Sequence, residues 1–368
     1  MGIIQAHPYS CVSDVFSPGL MLADCNYISI ERLRFFVSFN GRIPVNAETT
    51  NNIASCWILT DGKVGMVNQC RGLAEVLGVE PVSKVIDLRA PWQWLPPVLT
   101  PNLLSVTTSG SDPLTPPWPE LLIASGRKSV APARAIRKAS NGKTFCVQIQ
   151  DPGVSPTAFD LVVAPAHDGM AGENVMSTTG SLHGLTEGIL AKARIRFADR
   201  VAQLQRPLLA VLLGGDNSVF KLTEAYGRTL AGQLRDLTQN HGWGLAVTPS
   251  RRTPQHARHA IAEALRDTGA DVWDETGDNP YLGFLAHADA IIVTGDSVNM
   301  VSEATATGKP VHVAHLEGGS DKFRRFHQNM ESRGITRPFN GTIENWDYEP
   351  LDDTAMVAAE IRRRIAIA

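Results

Sequence analysis

A polar turn at the start of a predicted helix carries the residues of this chain best suited to chemistry. The segment from Ala290 to His315 is typical of a buried strand, a polar turn, a helix that ends at Gly308 and a second strand. Asp296 or Ser297 can cap that helix. The free N–H groups of its first turn, together with the helix dipole, then form a site for an anion.

Two side chains of the same helix extend this pattern. Asn299 and Glu303 lie four residues apart and therefore share one face. A carboxylate at this distance from an anion site could accept hydrogen bonds from a ribose diol. The segment leaves two interpretations open, a nucleotide site and an ordinary strand–helix–strand unit with an exposed glutamate.

Further polar loops follow other predicted strands of the second half of the chain. One contains two glycines, which let a phosphate approach the backbone closely. Another contains two arginines, whose guanidinium groups match the geometry of a diphosphate. These candidate ligand-binding residues are Gly214, Gly215, Asp216, Ser250, Arg251 and Arg252. Together with Asp296, Ser297, Asn299 and Glu303 they form a more specific pattern than any one loop does.

Candidate catalytic residues lie in loops of the first half. Asp61 follows the first strand, in a turn with Gly62 and Lys63. His167 stands beside Asp168 after a later strand, and a histidine next to a carboxylate can act as a general base. His183 is a further candidate. A polar turn and two structural histidines are the alternative interpretation.

The elements that would position these residues alternate regularly along the chain. From Cys56 onward strands and helices alternate in two series, which predicts parallel sheets covered on both faces. The predicted helices include Leu185 to about Val201, about Val219 to Thr238, and Asp321 to Ser332. The predicted fold is α/β, with two Rossmann-like domains facing a cleft, and ligands of such sheets bind at the carboxyl ends of the strands. We place an irregular extension at residues 1–55, a first domain at 56–204, a second domain at 205–350 and a helix that packs back across the cleft at 351–368.

Composition narrows the classes of function. The chain has 368 residues, a net charge of −3 and five scattered cysteines, and its isoelectric point is near 6.4. We therefore expect no nucleic-acid partner and no metal site, and the cysteine pattern favours the cytoplasm. No apolar run reaches the ~20 residues of a spanning helix. Peripheral contact with the inner membrane stays open.

A Pro- and Trp-rich segment, residues 90–118, interrupts the first series. Its apolar cluster runs from Trp92 to Leu99. Exposed, this cluster would form a patch for a membrane surface or a protein partner. We expect it to be buried, because large aromatic side chains are usually covered.

The span from Ile58 to Ile365 resembles the mitochondrial fission family named for the plant "elongated mitochondria" protein, and more distantly the GT-B glycosyltransferases of the peptidoglycan N-acetylglucosaminyl type. The residues that carry the resemblance are Asp61-Gly62-Lys63, Asn68-Gln69, Ser125-Gly126-Arg127, Gln150-Asp151-Pro152, His167-Asp168, Gly214-Gly215, Ser250-Arg251-Arg252-Thr253, Thr294-Gly295-Asp296-Ser297 and Ser302-Glu303. The resemblance implies a GT-B-like fold with a nucleotide-sugar site in the domain at 205–350 and an acceptor side in the domain at 56–204.

One departure bears on catalysis. The family usually has Gly-His where this chain has Gly65-Met66. If that histidine is the base, His167 or His183 has to replace it here. The plant member is regarded as a recruiter of a dynamin-type fission protein, so the resemblance alone does not decide activity.

The sequence therefore supports two classes of function. The first is a transferase that uses a nucleotide-diphosphate sugar as substrate and needs no separate cofactor. The sequence does not specify its acceptor, and a lipid-linked acceptor is one of the alternatives. A nucleotide-sugar epimerase is a close variant. The second is a non-catalytic adaptor that retains the fold to bind a protein partner, and it requires the segment from Trp92 to Leu99 to be exposed.

Overall fold

Residues 53–367 are described by a computed structural model, and the predicted extension at 1–55 lies outside them except for its last three residues. The chain forms two parallel sheets in succession. The elements of the first lobe are β1 (Cys56–Thr60), α1 (Val64–Leu77), β2 (Pro81–Val85), β3 (Leu121–Ser125), α2 (Val130–Ala139), β4 (Phe145–Ile149), β5 (Leu161–Pro165) and β6 (Val175–Thr178). Residues 179–186 form the linker to α3 (Glu187–Arg196) and α4 (Ala198–Val201), whose buried Leu190, Ala193 and Val201 pack in the core of the second lobe.

The second lobe repeats this alternation and ends with a helix. Its elements are β7 (Leu208–Leu213), β8 (Phe220–Lys221), α5 (Glu224–His241), β9 (Gly244–Pro249), α6 (Gln255–Leu265), β10 (Asp271–Val272), α7 (Tyr281–His287), β11 (Ala290–Thr294), α8 (Val298–Thr305), β12 (Val311–Ala314), β13 (Glu317–Gly318), α9 (Asp321–Ser332), β14 (Thr336–Pro338) and α10 (Asp353–Ile365).

Each lobe is built on one six-stranded parallel sheet. The strand orders are β2-β1-β3-β4-β5-β6 and β10-β9-β7-β11-β12-β14. Apolar side chains cover both faces of each sheet, as the nearly uniform apolar strands predict. The predicted α/β fold, two Rossmann-like lobes in a GT-B-like arrangement, is confirmed by these two sheets.

The last helix returns to the first lobe. Along α10, Val357, Ala358 and Ile361 are fully buried in the apolar cluster that also contains Leu73 and Leu77 of α1. Residues from the end of the chain thereby help to form the core of its first half.

Two helix predictions are wrong in detail. The predicted helix from Leu185 to Val201 is interrupted at Phe197, which separates α3 from α4. The predicted helix from Val219 begins five residues later, at Glu224, where Thr223 is the N-cap. Phe220 instead pairs with Gly318 in the short antiparallel β8–β13 sheet, a partner too distant in sequence for local periodicity to reveal.

The expected burial of the apolar cluster is also wrong in part. Pro97 is buried and Trp92 is half-buried, but Trp94, Val98 and Leu99 are 71%, 66% and 61% exposed. The segment is held from beneath, since Arg127 donates hydrogen bonds to the carbonyl oxygens of Gln93 and Leu95. The loop is therefore anchored by its backbone, and the side chains of Trp94, Val98 and Leu99 are exposed to solvent.

Candidate functional site

Four loops of the second lobe meet at one edge of its sheet. They follow β9, β7, β11 and β12, which are neighbouring strands, so their carboxyl ends lie side by side. The backbone N–H of Asp216 donates to the carbonyl of Arg252, and the side chain of Asn217 donates to the carbonyl of Asp296. The glycine-rich, arginine-containing and Gly-Asp-Ser loops are thus joined directly.

Asp296 is the centre of this loop cluster. Its fully buried carboxylate accepts from the Thr294 hydroxyl at 2.7 Å and from the Gly215 N–H at 3.0 Å, and it pairs with Arg252 at 2.8 Å. Burial raises its pKa, although these three partners oppose the shift. Asp296 therefore fixes the shape of the site from behind, and Ser297 rather than Asp296 caps α8.

Close approach explains the paired glycines. A Cβ atom on Gly214 would lie 2.1 Å from Oδ1 of Asp296, and one on Gly215 would lie 2.1 Å from the carbonyl oxygen of Arg252. No side chain fits at either position without displacing a buried group. The sequence analysis attributed these glycines to the close approach of a ligand. The packing of the loops on one another is a second reason why glycine is required at both positions.

The other residues predicted in these loops differ in their exposure and in their hydrogen-bond partners. Arg251 is exposed, whereas Arg252 is occupied by Asp296 on one side and 38% exposed. Ser250 accepts through its hydroxyl from the backbone N–H of Arg252. The Asp216 carboxylate accepts from the Leu222 N–H and the Lys221 ammonium, contacts that lower its pKa.

The start of α8 faces the first lobe. Oδ1 of Asn299 accepts from Nε2 of Gln69 at 3.0 Å, and Nδ2 donates to the carbonyl of Gly65 at 3.5 Å. The N-terminal ends of α1 and α8 therefore meet, and both helix dipoles direct positive potential toward this junction. Sequence spacing placed Asn299 on the face of Glu303, but its partners lie more than 200 residues away.

Glu303 lies at the wall of a cavity of about 380 Å³ between the lobes. The carboxylate accepts a short hydrogen bond from the hydroxyl of Tyr281, and burial raises the pKa of both groups. Asn68, Arg71 and Glu75 of α1 line the opposite wall. Elements of both lobes thus surround this carboxylate, as a site in an interlobe cleft requires.

His167 and Asp168 lie where the first lobe contacts α9 of the second. The ammonium of Lys322 is 2.7 Å from Oδ1 of Asp168, and Nε2 of His167 is 3.7 Å from the same oxygen. Arg325 donates to the His167 carbonyl. Burial is the main cause that lowers the pKa of His167, which keeps the imidazole neutral near pH 7.

The remaining candidate catalytic residues, Asp61 and His183, do not contact each other, and each is bonded to different neighbours. Asp61 pairs with Lys63 at 2.8 Å inside its own turn. His183 is buried in the linker, where its backbone N–H donates to, and its carbonyl accepts from, the hydroxyl of Thr354. Burial lowers the pKa of His183. Met66 packs on Gly126, where an added Cβ would lie 2.6 Å from its sulfur.

Sequence reasoning missed the residues that hold the linker between the lobes. Asp353, at the start of α10, accepts from the backbone N–H groups of Thr179 and Gly180, and Ser302 of α8 accepts from that of Ser181. Tyr281, the partner of Glu303, was also missed. Ser302 was named only as part of the Ser302-Glu303 motif, without a role in the linker, and a helix-start aspartate was the only other local signal.

The described residues contain neither a metal-binding cluster nor a membrane-spanning helix. Among residues 53–367 no cluster of three or more His, Cys, Asp or Glu side chains is arranged to hold a metal ion. In the same part of the chain no helix has the length and apolarity needed to cross a membrane.

Comparisons with solved structures return proteins of low sequence identity. A UDP-GlcNAc 2-epimerase from Methanocaldococcus jannaschii is 11% identical, with a TM-score of 0.46, and the match covers 85% of this chain and 100% of that one. The glycosyltransferase SnogD from Streptomyces nogalater is 14% identical, with a TM-score of 0.44, covering 85% and 94%.

Sequence comparisons identify the family. The mitochondrial fission protein ELM1 of Arabidopsis thaliana is 34% identical over 278 residues, or 67% of this chain, and the chain spans 64% of that protein's length. An uncharacterized protein of Rickettsia prowazekii (strain Madrid E) is 26% identical over 287 residues, covering 68% of this chain and 80% of that protein. The family model for mitochondrial fission ELM1 matches residues 64–365. The chain belongs to the mitochondrial fission ELM1 family.

Proposed function

We propose that this protein binds a nucleoside-diphosphate sugar between its lobes and transfers the sugar to an acceptor. The observation that carries the proposal is the position of Glu303, a carboxylate in the wall of an interlobe cavity and on the same helix as the Ser297 cap. In this assignment Glu303 binds the ribose hydroxyls and exchanges its Tyr281 partner for them. The diphosphate lies toward the start of α8 and the Gly214–Gly215 loop.

Charge supports this orientation of the donor. Arg71 lines the same cavity from the first lobe, and Arg251 is exposed beside the arginine already paired with Asp296. The two guanidinium groups and the α8 dipole supply positive charge for a diphosphate without a metal ion.

The transfer step needs a base on the acceptor side. The acceptor hydroxyl attacks the anomeric carbon, the bond from that carbon to the diphosphate breaks, and the nucleoside diphosphate leaves. We assign the released proton to His167, because the imidazole is held neutral by burial at the contact between the lobes, beside Asp168. Asp61 and His183 remain alternatives for this role.

The first test is thermal stability with UDP, GDP, dTDP, CDP and ADP. A ligand at 100 times its Kd adds roughly 2.7 kcal/mol to the free energy of unfolding. We expect one nucleotide to raise the melting temperature of the wild type, Glu303→Gln to abolish that rise, and Glu263→Gln, on the exposed face of α6, to keep it. No rise with any nucleotide at millimolar concentration would overturn the assignment.

The nucleotide that binds then selects the sugar donors for an activity assay. Release of the nucleoside diphosphate, lost in His167→Gln and kept in His183→Gln, would support transfer with His167 as the base. Interconversion of the sugar with the nucleotide still attached would indicate the epimerase instead.

A non-catalytic adaptor is the second candidate. The exposure of Trp94, Val98 and Leu99 favours it, because the adaptor requires an exposed apolar segment. If the protein is such an adaptor, nucleotides should not raise its melting temperature, and Glu303→Gln should not affect the binding of its partner.

A further inference from the structure

One loop of the first lobe is an uncharged segment that carries several exposed apolar side chains. From Ala90 to Ser111 there is no Asp, Glu, Lys or Arg. Within it Trp94, Val98, Leu99 and Leu103 are 71%, 66%, 61% and 55% exposed, and we call these four side chains the apolar tip. Exposed apolar groups of this size, collected in one loop, mark a surface that contacts something other than water.

The loop that carries the apolar tip is firmly anchored. Leu88 and Val106, at its two ends, are buried against Ala131 of α2. Pro97 and Thr100 are buried between the exposed positions. The tip is therefore presented by a fixed backbone and does not result from a lack of packing.

Basic residues outnumber acidic ones in the part of the sequence that carries the apolar tip. From Leu88 to Gln150 the sequence has seven basic residues and two acidic ones, a local excess of five positive charges in a chain whose net charge is −3. The basic residues are Arg89, Arg127, Lys128, Arg134, Arg137, Lys138 and Lys143, and the acidic ones are Asp112 and Glu120. Three carboxylates from outside this stretch reduce the excess to two. Asp87 pairs with Lys128, Asp160 pairs with Arg137, and Asp151 is exposed in the turn whose Gly153 lies against Pro97.

The basic side chains enclose a cavity next to the tip. A cavity of about 440 Å³ is lined by Arg134, Arg137 and Lys138 of α2 and by Asn102, the neighbour of Leu103. Among the described residues neither Arg134 nor Lys138 pairs with a carboxylate, so both are able to meet an external anion. A phosphate group carries the charge that these two side chains attract.

We propose that this face docks on the surface of an anionic lipid bilayer. The apolar tip enters the interfacial region, where tryptophan and aliphatic side chains are favoured, while Arg134 and Lys138 contact lipid phosphates. Charge complementarity selects this occupant, because a chain of net negative charge is attracted to an anionic surface only where its basic residues are concentrated. The proposal does not depend on nucleotide binding.

The experiment is flotation of the full chain with lipid vesicles. One set is pure phosphatidylcholine, and the other is three parts phosphatidylcholine to one part phosphatidylglycerol. We expect binding to the mixed vesicles, weakened by added salt. The paired changes Trp94→Ser with Leu99→Ser, and Arg134→Glu with Lys138→Glu, should each reduce the partition coefficient by about tenfold or more.

Matched controls carry the same chemical changes elsewhere. Ile195→Ser removes an apolar side chain that is 81% exposed on α3, and Arg228→Glu with Arg266→Glu reverses two exposed charges of the second lobe. Both should leave vesicle binding unchanged. Circular dichroism and the melting temperature check that every variant is folded.

Three outcomes would overturn the proposal. One is a folded wild type that stays unbound to both sets of vesicles. Another is binding that the controls reduce as much as the tip variants do. The third is a dimer in sedimentation velocity that Trp94→Ser converts to a monomer, which would make the face an interface between copies. Vesicle binding without any nucleotide effect would refute the nucleotide proposal and leave this one standing.

Discussion

Replacing His327 with glutamine should remove part of the acid sensitivity of the fold. His327 is 6% exposed, and its Nε2 donates to the carbonyl oxygen of Gly295 at 2.7 Å. Its Nδ1 is buried and has no hydrogen-bond partner among the described residues. Protonation would therefore place a charge and an unsatisfied donor inside the protein, with the rings of His315 and His167 nearby.

The structure fixes the sign and size of this effect. Burial lowers the pKa of His327 from its ordinary value of 6.5 to about 4. The unfolded chain therefore takes up a proton that the folded chain refuses, so the contribution of this group to stability is complete above pH 6.5 and is lost as the pH falls toward 4. Linkage with these two values gives a loss of about 2 kcal/mol between pH 7 and pH 5.

The assay compares urea unfolding at pH 7 and pH 5, followed by circular dichroism. The amide of His327→Gln can still donate to Gly295 but cannot titrate, so this variant should lose about 2 kcal/mol less stability than the wild type over that interval. Burial also lowers the pKa of His167, His183 and His312, but their contributions cancel in the comparison. His241→Gln, at an exposed position, is the control. Equal losses in His327→Gln and the wild type would refute the reasoning.

Two further substitutions test the contacts that shape the site. Asp296→Ala leaves the Gly215 N–H and the Arg252 guanidinium without their buried acceptor, and we expect a loss of about 2–4 kcal/mol in urea unfolding together with loss of any nucleotide-induced stabilisation. An unchanged midpoint would show that the carboxylate does not hold these loops. Gly180→Ala places a Cβ 2.5 Å from Oγ of Ser302, and a loss of about 1–3 kcal/mol is expected, with partial recovery in the double variant that adds Ser302→Ala. Stability equal to wild type in Gly180→Ala would contradict the tight packing of the linker on α8.

Much of the fold could be predicted from local sequence patterns. The predicted strand, helix and strand between Ala290 and His315 are observed as β11, α8 and β12, and the predicted helix from Asp321 to Ser332 has the bounds of α9. Apolar runs, polar turns and a capping serine specify such elements within a few residues. The adjacency of the four polar loops also followed, because parallel strands bring their carboxyl ends to one edge.

The identities of the site's contacts could be predicted only in part. Sequence analysis selected Asp296 and Glu303, but not that Asp296 would be used to hold Gly215 and Arg252, nor that Tyr281 would be the partner of Glu303. Residue type indicates what a side chain can do. Which neighbour receives its hydrogen bond depends on how the helices and loops around it pack.

The alternation of elements, the α/β class and the set of polar strand ends can be predicted from local sequence, because they depend on periodicity, caps and turns over short distances. Which of those polar groups meet across the lobes, and which apolar side chains remain exposed, depends on how distant parts of the chain pack together. Asp353 binds the backbone of Gly180 from 173 residues away, and Trp94 is exposed although its neighbour Pro97 is buried. Contacts and exposures of this kind depend on the packing of residues far apart in the sequence, and local sequence patterns do not specify that packing.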